Sequence, residues 1–149
     1  MKTIELIKTG SNLLKERNIP SFILDSELLL SKTLNKSREE ILINLEKVLD
    51  NRDIHVFKEF LKRRSKSEPI AYILGEKEFW SKKFKVNEHT LIPRPETELL
   101  VGKLVSIYKG QKPSILDVGT GSGCIIISAS CFSIGFLHYC SCSFIRHSY

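Results

Sequence analysis

The residues with the clearest chemical potential are an aspartate and three glycines spaced as D-x-G-x-G-x-G, from Asp117 to Gly123. The apolar run at 115–118 predicts a buried strand, and the apolar run at 124–127 predicts the start of a helix. Glycines let a ligand approach the backbone closely, and the N–H groups of a helix N-terminus point outward. This stretch therefore predicts a site for a polar or anionic small molecule.

The glycine spacing discriminates between cofactor classes. The dinucleotide fingerprint G-x-G-x-x-G needs a third glycine where this chain has Cys124, which makes a dinucleotide oxidoreductase the weakest interpretation. An acid two residues before the first glycine resembles the first motif of class I methyltransferases, which bind S-adenosylmethionine (SAM) where their first strand turns into a helix. The alternative is a glycine-rich turn between strand and helix that holds no ligand.

Composition limits the class of protein. The 149 residues are enough for one or two small domains, and 42% of them are apolar, which is enough for a core. The net charge is +6, but lysines and arginines are mixed with acids, so most of them are expected on solvated helix faces. All four cysteines lie at or after position 124 without zinc-ligand spacing, and we expect no metal site. The start of the chain does not resemble a secretory signal, so a cytoplasmic protein is expected.

The first 65 residues are expected to form a helical bundle. Apolar residues at helical spacing predict helices over 3–18, 22–34 and 50–65, and a short helix over 39–44. Ser37 and Glu40 have the spacing of a capping box before the short helix. In the second helix Leu24, Leu28 and Leu29 are expected to face inward, and in the last one the inward residues are expected to be Ile54, Phe57, Phe60 and Leu61.

The middle of the chain predicts a connector and then another helix. One or two helical turns over 68–75 end at a glycine, and the segments 78–80 and 83–86 predict a hairpin around Ser81 and Lys82. Pro95 suits the first turn of a helix that should extend to Tyr108. We expect its apolar face to consist of Leu99, Leu100, Leu104, Val105 and Ile107.

Several segments together resemble the PrmC/HemK family. They are P-I-A-Y-I-L-G at 69–75, E-F-W at 78–80 and L-I-P-R-P-E-T-E at 91–98, together with the helical N-terminus and the glycine loop. The resemblance implies a helical N-terminal domain over 1–75, a β-hairpin connector over 76–90, and the beginning of an α/β Rossmann-like class I SAM-dependent methyltransferase domain over 91–128. The residues 129–149 form an anomalous tail without clear periodicity.

The resemblance also implies an activity and a set of site residues. Members of this family methylate the side-chain amide N5 of a glutamine in class I peptide chain release factors, with SAM as cofactor. The residues implied to bind SAM are Asp117, Gly119, Thr120, Gly121, Ser122 and Gly123. Arg94 and Glu96 match the family segment that borders the active site, although a helix start with a local ion pair explains them equally well.

The chain departs from the family pattern after the glycine loop. No Asp or Glu follows Asp117 and no proline follows Pro113, so the ribose-binding carboxylate and the catalytic Asn-Pro-Pro-Tyr motif are absent from these residues. We therefore expect an inactive fragment whose tail comes from a frameshift or an assembly error in the gene sequence. Two alternatives for the tail are a membrane span over 124–145, which has no formal charge, and a divergent C-terminus.

Two other functions compete with the enzyme. The helical domain and connector could form a binding module that docks on a release factor without catalysis. A nucleic-acid N-methyltransferase is the weaker alternative, because the positive charge forms no stripe interleaved with aromatic residues. We expect a class I release factor as the protein partner, and neither a membrane nor direct nucleic-acid binding.

Overall fold

The chain divides into two compact units, Met1–Leu74 and Gly75–Tyr149. The computed structural model describes residues 1–111 and 113–130, and the backbone of 137–141. The first unit contains five helices: α1 Thr3–Glu16, α2 Phe22–Leu34, α3 Arg38–Ile43, α4 Asn51–Ser65 and α5 Ile70–Leu74. The second unit contains β1 Glu76–Phe79, β2 Lys82–Lys85, a 3-10 turn Pro95–Thr97, α6 Glu98–Ile107, β3 Ser114–Val118, α7 Cys124–Ser130 and β4 Leu137–Ser141.

The core of the first unit forms where α1, α2 and α4 pack together. Its fully buried side chains include Leu6, Leu14, Leu29, Leu30 and Phe57. Gly10 allows close contact there, because a Cβ at this position would lie 2.5 Å from Ser26 Oγ. That hydroxyl donates a hydrogen bond to the Ile7 carbonyl oxygen across the α1–α2 contact, at 3.0 Å.

Ion pairs join α4 to α2 and to the segment that follows α4. The Asp25 side chain is 3% exposed, and its Oδ2 accepts from Arg64 Nε at 2.7 Å and from Ser21 Oγ at 2.8 Å. Near the surface, Arg63 hydrogen-bonds Glu68 through both carboxylate oxygens, which lowers the pKa of Glu68 below its ordinary value of 4.5. A buried carboxylate with two donors is well compensated, so Asp25 fixes the start of α2 against the end of α4.

The predicted helices of the first unit are confirmed, with α2 at the expected bounds. The capping box is also confirmed, because Glu40 N donates to Ser37 Oγ and Ser37 N donates to Glu40 Oε2. The prediction that Leu24 faces inward is wrong, because this residue is 44% exposed. Leu30 is fully buried instead. The apolar residues of α2 cover more than one face, so periodicity alone did not select the inward one.

An antiparallel hairpin opens the second unit, with Phe79 opposite Lys82 and Lys77 opposite Phe84. The turn residues Trp80 and Ser81 have φ of 52° and 55°, the pattern of a type I′ turn, so the turn lies one residue earlier than predicted. Phe79 and Phe84 pack edge to face on one side of the hairpin. With Val101 and Cys124 they form the core of this unit.

The predicted apolar face of α6 is largely wrong. Leu99 is 78% exposed, and Leu100 and Ile107 are also exposed, whereas Val101 is fully buried. Because α6 has apolar residues on nearly all sides, contact with the hairpin aromatics decides which side is buried.

Strands β3 and β4 pair in parallel, with Asp117 opposite Cys140, and α7 lies between them in sequence. The strand β3 was expected to be buried, but its residues alternate, and Leu116 and Val118 are exposed. The strand β4 was not predicted, since it lies in the segment without periodicity. A parallel pair with an intervening helix is how an α/β region begins.

The membrane-span interpretation of 124–145 lies partly outside the described residues. Within the described part, α7 is seven residues long. None of the described helices has the length and apolar character needed to cross a bilayer.

Candidate functional site

The glycine loop follows β3 directly and depends on left-handed backbone geometry. Gly119, Gly121 and Gly123 have φ of 76°, 55° and 75°, values that side chains with a Cβ rarely adopt. A Cβ on Gly123 would also lie 3.0 Å from Ile127 Cδ1. The loop closes through a hydrogen bond from Gly123 N to the Thr120 carbonyl oxygen at 2.8 Å. These glycines therefore serve the conformation that brings the strand into α7.

Two side-chain oxygens at this loop are buried without a hydrogen-bond partner within the described residues. They are Asp117 Oδ2 and Ser122 Oγ. A third such oxygen, Ser128 Oγ, lies inside α7 rather than at the loop. A buried polar atom left unpaired costs about 1–3 kcal/mol, and folded proteins pair most such atoms with protein, water or ligand. The loop thus presents two acceptors for a ligand that carries hydrogen-bond donors.

Arg94 and Glu96 lie at the 3-10 turn that directly precedes α6. Both are exposed, and no ion pair joins them within the described part of the chain, so the local ion pair considered above does not form. Arg94 has an extended backbone before Pro95, and its carbonyl oxygen accepts from Thr97 N at 3.0 Å. The helix that they open packs against α7, which begins right after the glycine loop.

Sequence reasoning missed the role of Glu98. Its Oε1 accepts a hydrogen bond from Trp80 N at 2.8 Å, in the hairpin turn. The Trp80 ring also packs over Gly102, where a Cβ would lie 3.4 Å from ring atom Cη2. Glu98 and Gly102 are four residues apart and share one face of α6, a spacing that could have suggested a common partner. The Glu98 carboxylate therefore links the hairpin turn to α6.

The first unit matches a known family. The family model described as the PrmC N-terminal domain matches residues 5–75. The release factor glutamine methyltransferase of Leptospira interrogans serogroup Icterohaemorrhagiae serovar Lai (strain 56601) is 44% identical over 127 residues, which is 84% of this chain and 44% of that protein. The chain belongs to the PrmC/HemK family.

Two further relatives agree with this family. The release factor glutamine methyltransferase of Buchnera aphidicola subsp. Schizaphis graminum (strain Sg) is 48% identical over 104 residues, which is 70% of this chain and 38% of that protein. A bifunctional methyltransferase of Rickettsia felis (strain ATCC VR-1525 / URRWXCal2) is 39% identical over 155 residues, 85% of this chain and 29% of that protein. The chain thus spans less than half the length of these relatives.

The relatives are named methyltransferases, and a methyltransferase requires a methyl donor. A ligand with an ammonium group or hydroxyls could donate hydrogen bonds to Asp117 Oδ2 and Ser122 Oγ. The glycines leave the backbone open to close approach. The ribose-binding carboxylate that the resemblance implies has no counterpart on β4, which contains no acidic residue.

Proposed function

We propose that this chain is part of a SAM-dependent enzyme that methylates the side-chain amide N5 of a glutamine in class I release factors. The observation that carries the proposal is the PrmC N-terminal domain at 5–75 in the same chain as the D-x-G-x-G-x-G loop. The relatives named release factor glutamine methyltransferases support this substrate. Release factors work in translation, so we place the protein in the cytoplasm.

The proposal divides the chain by role. Residues 1–75 dock the release factor, and 76–90 connect this domain to the next. Residues 91–128 begin a Rossmann-like domain that holds SAM, and no role is assigned to 129–149. In support, the first unit has its own apolar core, and the second contains a parallel pair of strands with a helix between them in sequence.

The glycine loop would hold the cofactor. We assign binding to Asp117, Gly119, Thr120, Gly121, Ser122 and Gly123. Asp117 and Ser122 would accept hydrogen bonds that nothing else in the described chain supplies. Bound SAM supplies a methyl group on a positively charged sulfur, which makes that methyl electrophilic. We assign Arg94 and Glu96, exposed at the 3-10 turn before α6, to the border of the active site.

Methyl transfer to an amide is mainly a problem of positioning. The amide nitrogen is a weak nucleophile because its lone pair is delocalised into the carbonyl. The enzyme must therefore hold the nitrogen in line with the methyl group and accept hydrogen bonds from it. The 149 residues contain no Asn-Pro-Pro-Tyr motif to do this. We therefore expect these residues to bind SAM and the release factor without turnover.

Calorimetric titration of the 149-residue chain with SAM tests the cofactor assignment. We expect saturable binding that weakens at least about tenfold in Asp117→Ala, because a hydrogen bond to a charged group is worth about 1.5–3 kcal/mol. Glu88→Gln is the matched control, since Glu88 is exposed on a loop of the same unit. Absence of SAM binding, or equal affinity of Asp117→Ala and the wild type, would contradict the assignment.

A non-catalytic module that binds the release factor is the second candidate. It is favoured by the first unit, which is compact and has its own buried core. The two candidates differ in one measurement. A chain that captures the release factor but shows no affinity for SAM is a binding module, whereas affinity for both supports the enzyme.

A further inference from the structure

The excess positive charge of the first unit is concentrated on one helix. Residues 1–74 contain 14 Lys and Arg and 11 Asp and Glu. Six of those basic residues but only two of the acidic ones lie within 51–66, which is α4 and its C-cap residue. The rest of the unit has one more acidic than basic residue, so its net positive charge comes from this helix.

These charges share one side of α4. Phe57 and Leu61 point into the core. At 3.6 residues per turn the opposite side is a sector about 120° wide and about 21 Å long. Four exposed basic residues define this surface, which we call the basic face of α4: Arg52, Lys58, Lys62 and Lys66.

The basic face is not neutralised by the protein itself. None of its four residues has an ion-pair partner within the described chain, whereas their neighbours Arg63 and Arg64 pair with Glu68 and Asp25. The helix dipole favours cations in the last turn, which accounts for Lys62 and Lys66. It does not account for Lys58 at mid-helix, and it disfavours Arg52 in the first turn. Helix stability therefore explains only half of the face.

We propose that the basic face of α4 is a docking surface for an acidic face of a partner protein. This inference rests on the proposed function, which makes the partner the release factor substrate. Charge complementarity of this kind accelerates and orients association more than it raises affinity.

A protein partner fits the face better than a nucleic acid. Glu59 is exposed among the basic residues, where it would repel a phosphate backbone but could pair with a lysine of a protein. Neither phenylalanine of α4 is exposed for a base to stack on, because Phe57 is buried and Phe60 is half-buried, and His55 is the one exposed ring on this side of the described helix.

Binding of the 149-residue chain to its organism's class I release factor, measured by biolayer interferometry, tests the proposal. We expect Lys58→Glu/Lys62→Glu to weaken binding about tenfold or more, mainly through slower association, and to reduce its dependence on salt. The control is Lys8→Glu/Lys36→Glu, which changes the net charge equally at two exposed positions outside α4 and should weaken binding less than about threefold. Lys58→Gln/Lys62→Gln replaces the main variant if circular dichroism shows loss of helix.

The outcomes separate this inference from the proposed function. If the wild type binds and the α4 variant binds equally well, or if the control loses as much as the α4 variant, the docking surface is wrong while release-factor binding stands. If the wild type does not bind the release factor, the docking surface and the proposed release-factor substrate are both wrong. If a double-stranded RNA oligonucleotide binds and the α4 variant abolishes that binding, the face is a nucleic-acid surface and the protein partner is wrong.

Discussion

Replacement of Arg64 by methionine is expected to destabilise the helical unit strongly. Arg64 Nε donates to Asp25 Oδ2 at 2.7 Å, and its Nη1 donates to the Glu68 carbonyl oxygen at 2.9 Å. The two paired side chains are only 14% and 3% exposed. Arg64→Met leaves a buried carboxylate with Ser21 as its sole side-chain donor among the described residues. Breaking a buried pair in this way costs about 3–5 kcal/mol.

This loss is large compared with the stability of the unit. At about 0.05–0.15 kcal/mol per residue, a unit of this size has a free energy of unfolding of about 4–11 kcal/mol. If the uncompensated charge is the cause, adding Asp25→Asn to Arg64→Met should recover about 1–2 kcal/mol, because a neutral amide is less costly to bury. The matched control is Arg63→Met, which breaks the exposed pair with Glu68 and should cost less than about 1 kcal/mol.

Urea denaturation of the full chain can follow the two units separately. Far-UV circular dichroism reports mainly the five helices of the first unit, whereas fluorescence of the single tryptophan, Trp80, reports the second. We expect Arg64→Met to move only the dichroism transition. A cost below about 1 kcal/mol, or a further loss on adding Asp25→Asn, would refute the reasoning.

Three further predictions concern single contacts. Gly10→Ala should destabilise the first unit by about 1–3 kcal/mol despite the better helix propensity of alanine, because its Cβ would lie 2.5 Å from Ser26 Oγ. Adding Ser26→Ala should restore part of the lost stability, as measured by urea denaturation. Glu98→Ala should free the hairpin turn, shift Trp80 fluorescence to longer wavelength and cost about 1 kcal/mol. Glu68 has a pKa lowered by its arginine partner, so it stabilises the unit above pH 4.5 and loses this contribution as the pH falls through the lowered pKa. In Glu68→Gln, the loss of stability at low pH, measured by circular dichroism, should therefore be less steep.

Each of these predictions has a result that would contradict it. A Gly10→Ala variant as stable as the wild type would mean that α1 and α2 move apart at little cost. Unchanged fluorescence in Glu98→Ala would show that ring packing on Gly102 alone holds the turn. If the stability of Glu68→Gln falls at low pH as steeply as that of the wild type, other carboxylates cause the acid destabilisation.

The parts of the fold that local signals determine could be predicted from the sequence. The capping box at Ser37 and Glu40 involves residues three apart, and the hydrogen bonds form as expected. The helix bounds of the first unit follow from apolar spacing and from breaks such as Pro20. These features depend on neighbours along the chain, which the sequence shows directly.

The features that depend on distant residues were missed. Phe79 and Phe84 of the hairpin pack on the side of α6 that carries Val101, so Val101 is buried and Leu99 is exposed. The strand β4 pairs with β3, which lies far from it in the sequence. Glu98 receives its role from a backbone amide 18 residues away. None of these partners is visible in a local window of sequence.

The candidate site could be predicted only in part. The motif predicted which residues follow β3, and the positive φ values explain why they are glycines. That Asp117 and Ser122 each bury an oxygen without a partner depends on the three-dimensional surroundings. Arg94 and Glu96 remain assigned by their position in the family segment.

The alternation of β3 has a consequence for insertions and deletions. Ile115 and Asp117 lie on the half-buried side of the strand, while Leu116 and Val118 lie on the exposed side. One residue inserted between Asp117 and Gly119 would turn the carboxylate to the opposite side and bring an apolar residue to the loop. Two inserted residues would restore the side but move the carboxylate about 7 Å from the glycines. The position of the Asp117 carboxylate relative to the glycines thus depends on both the parity and the length of this short link.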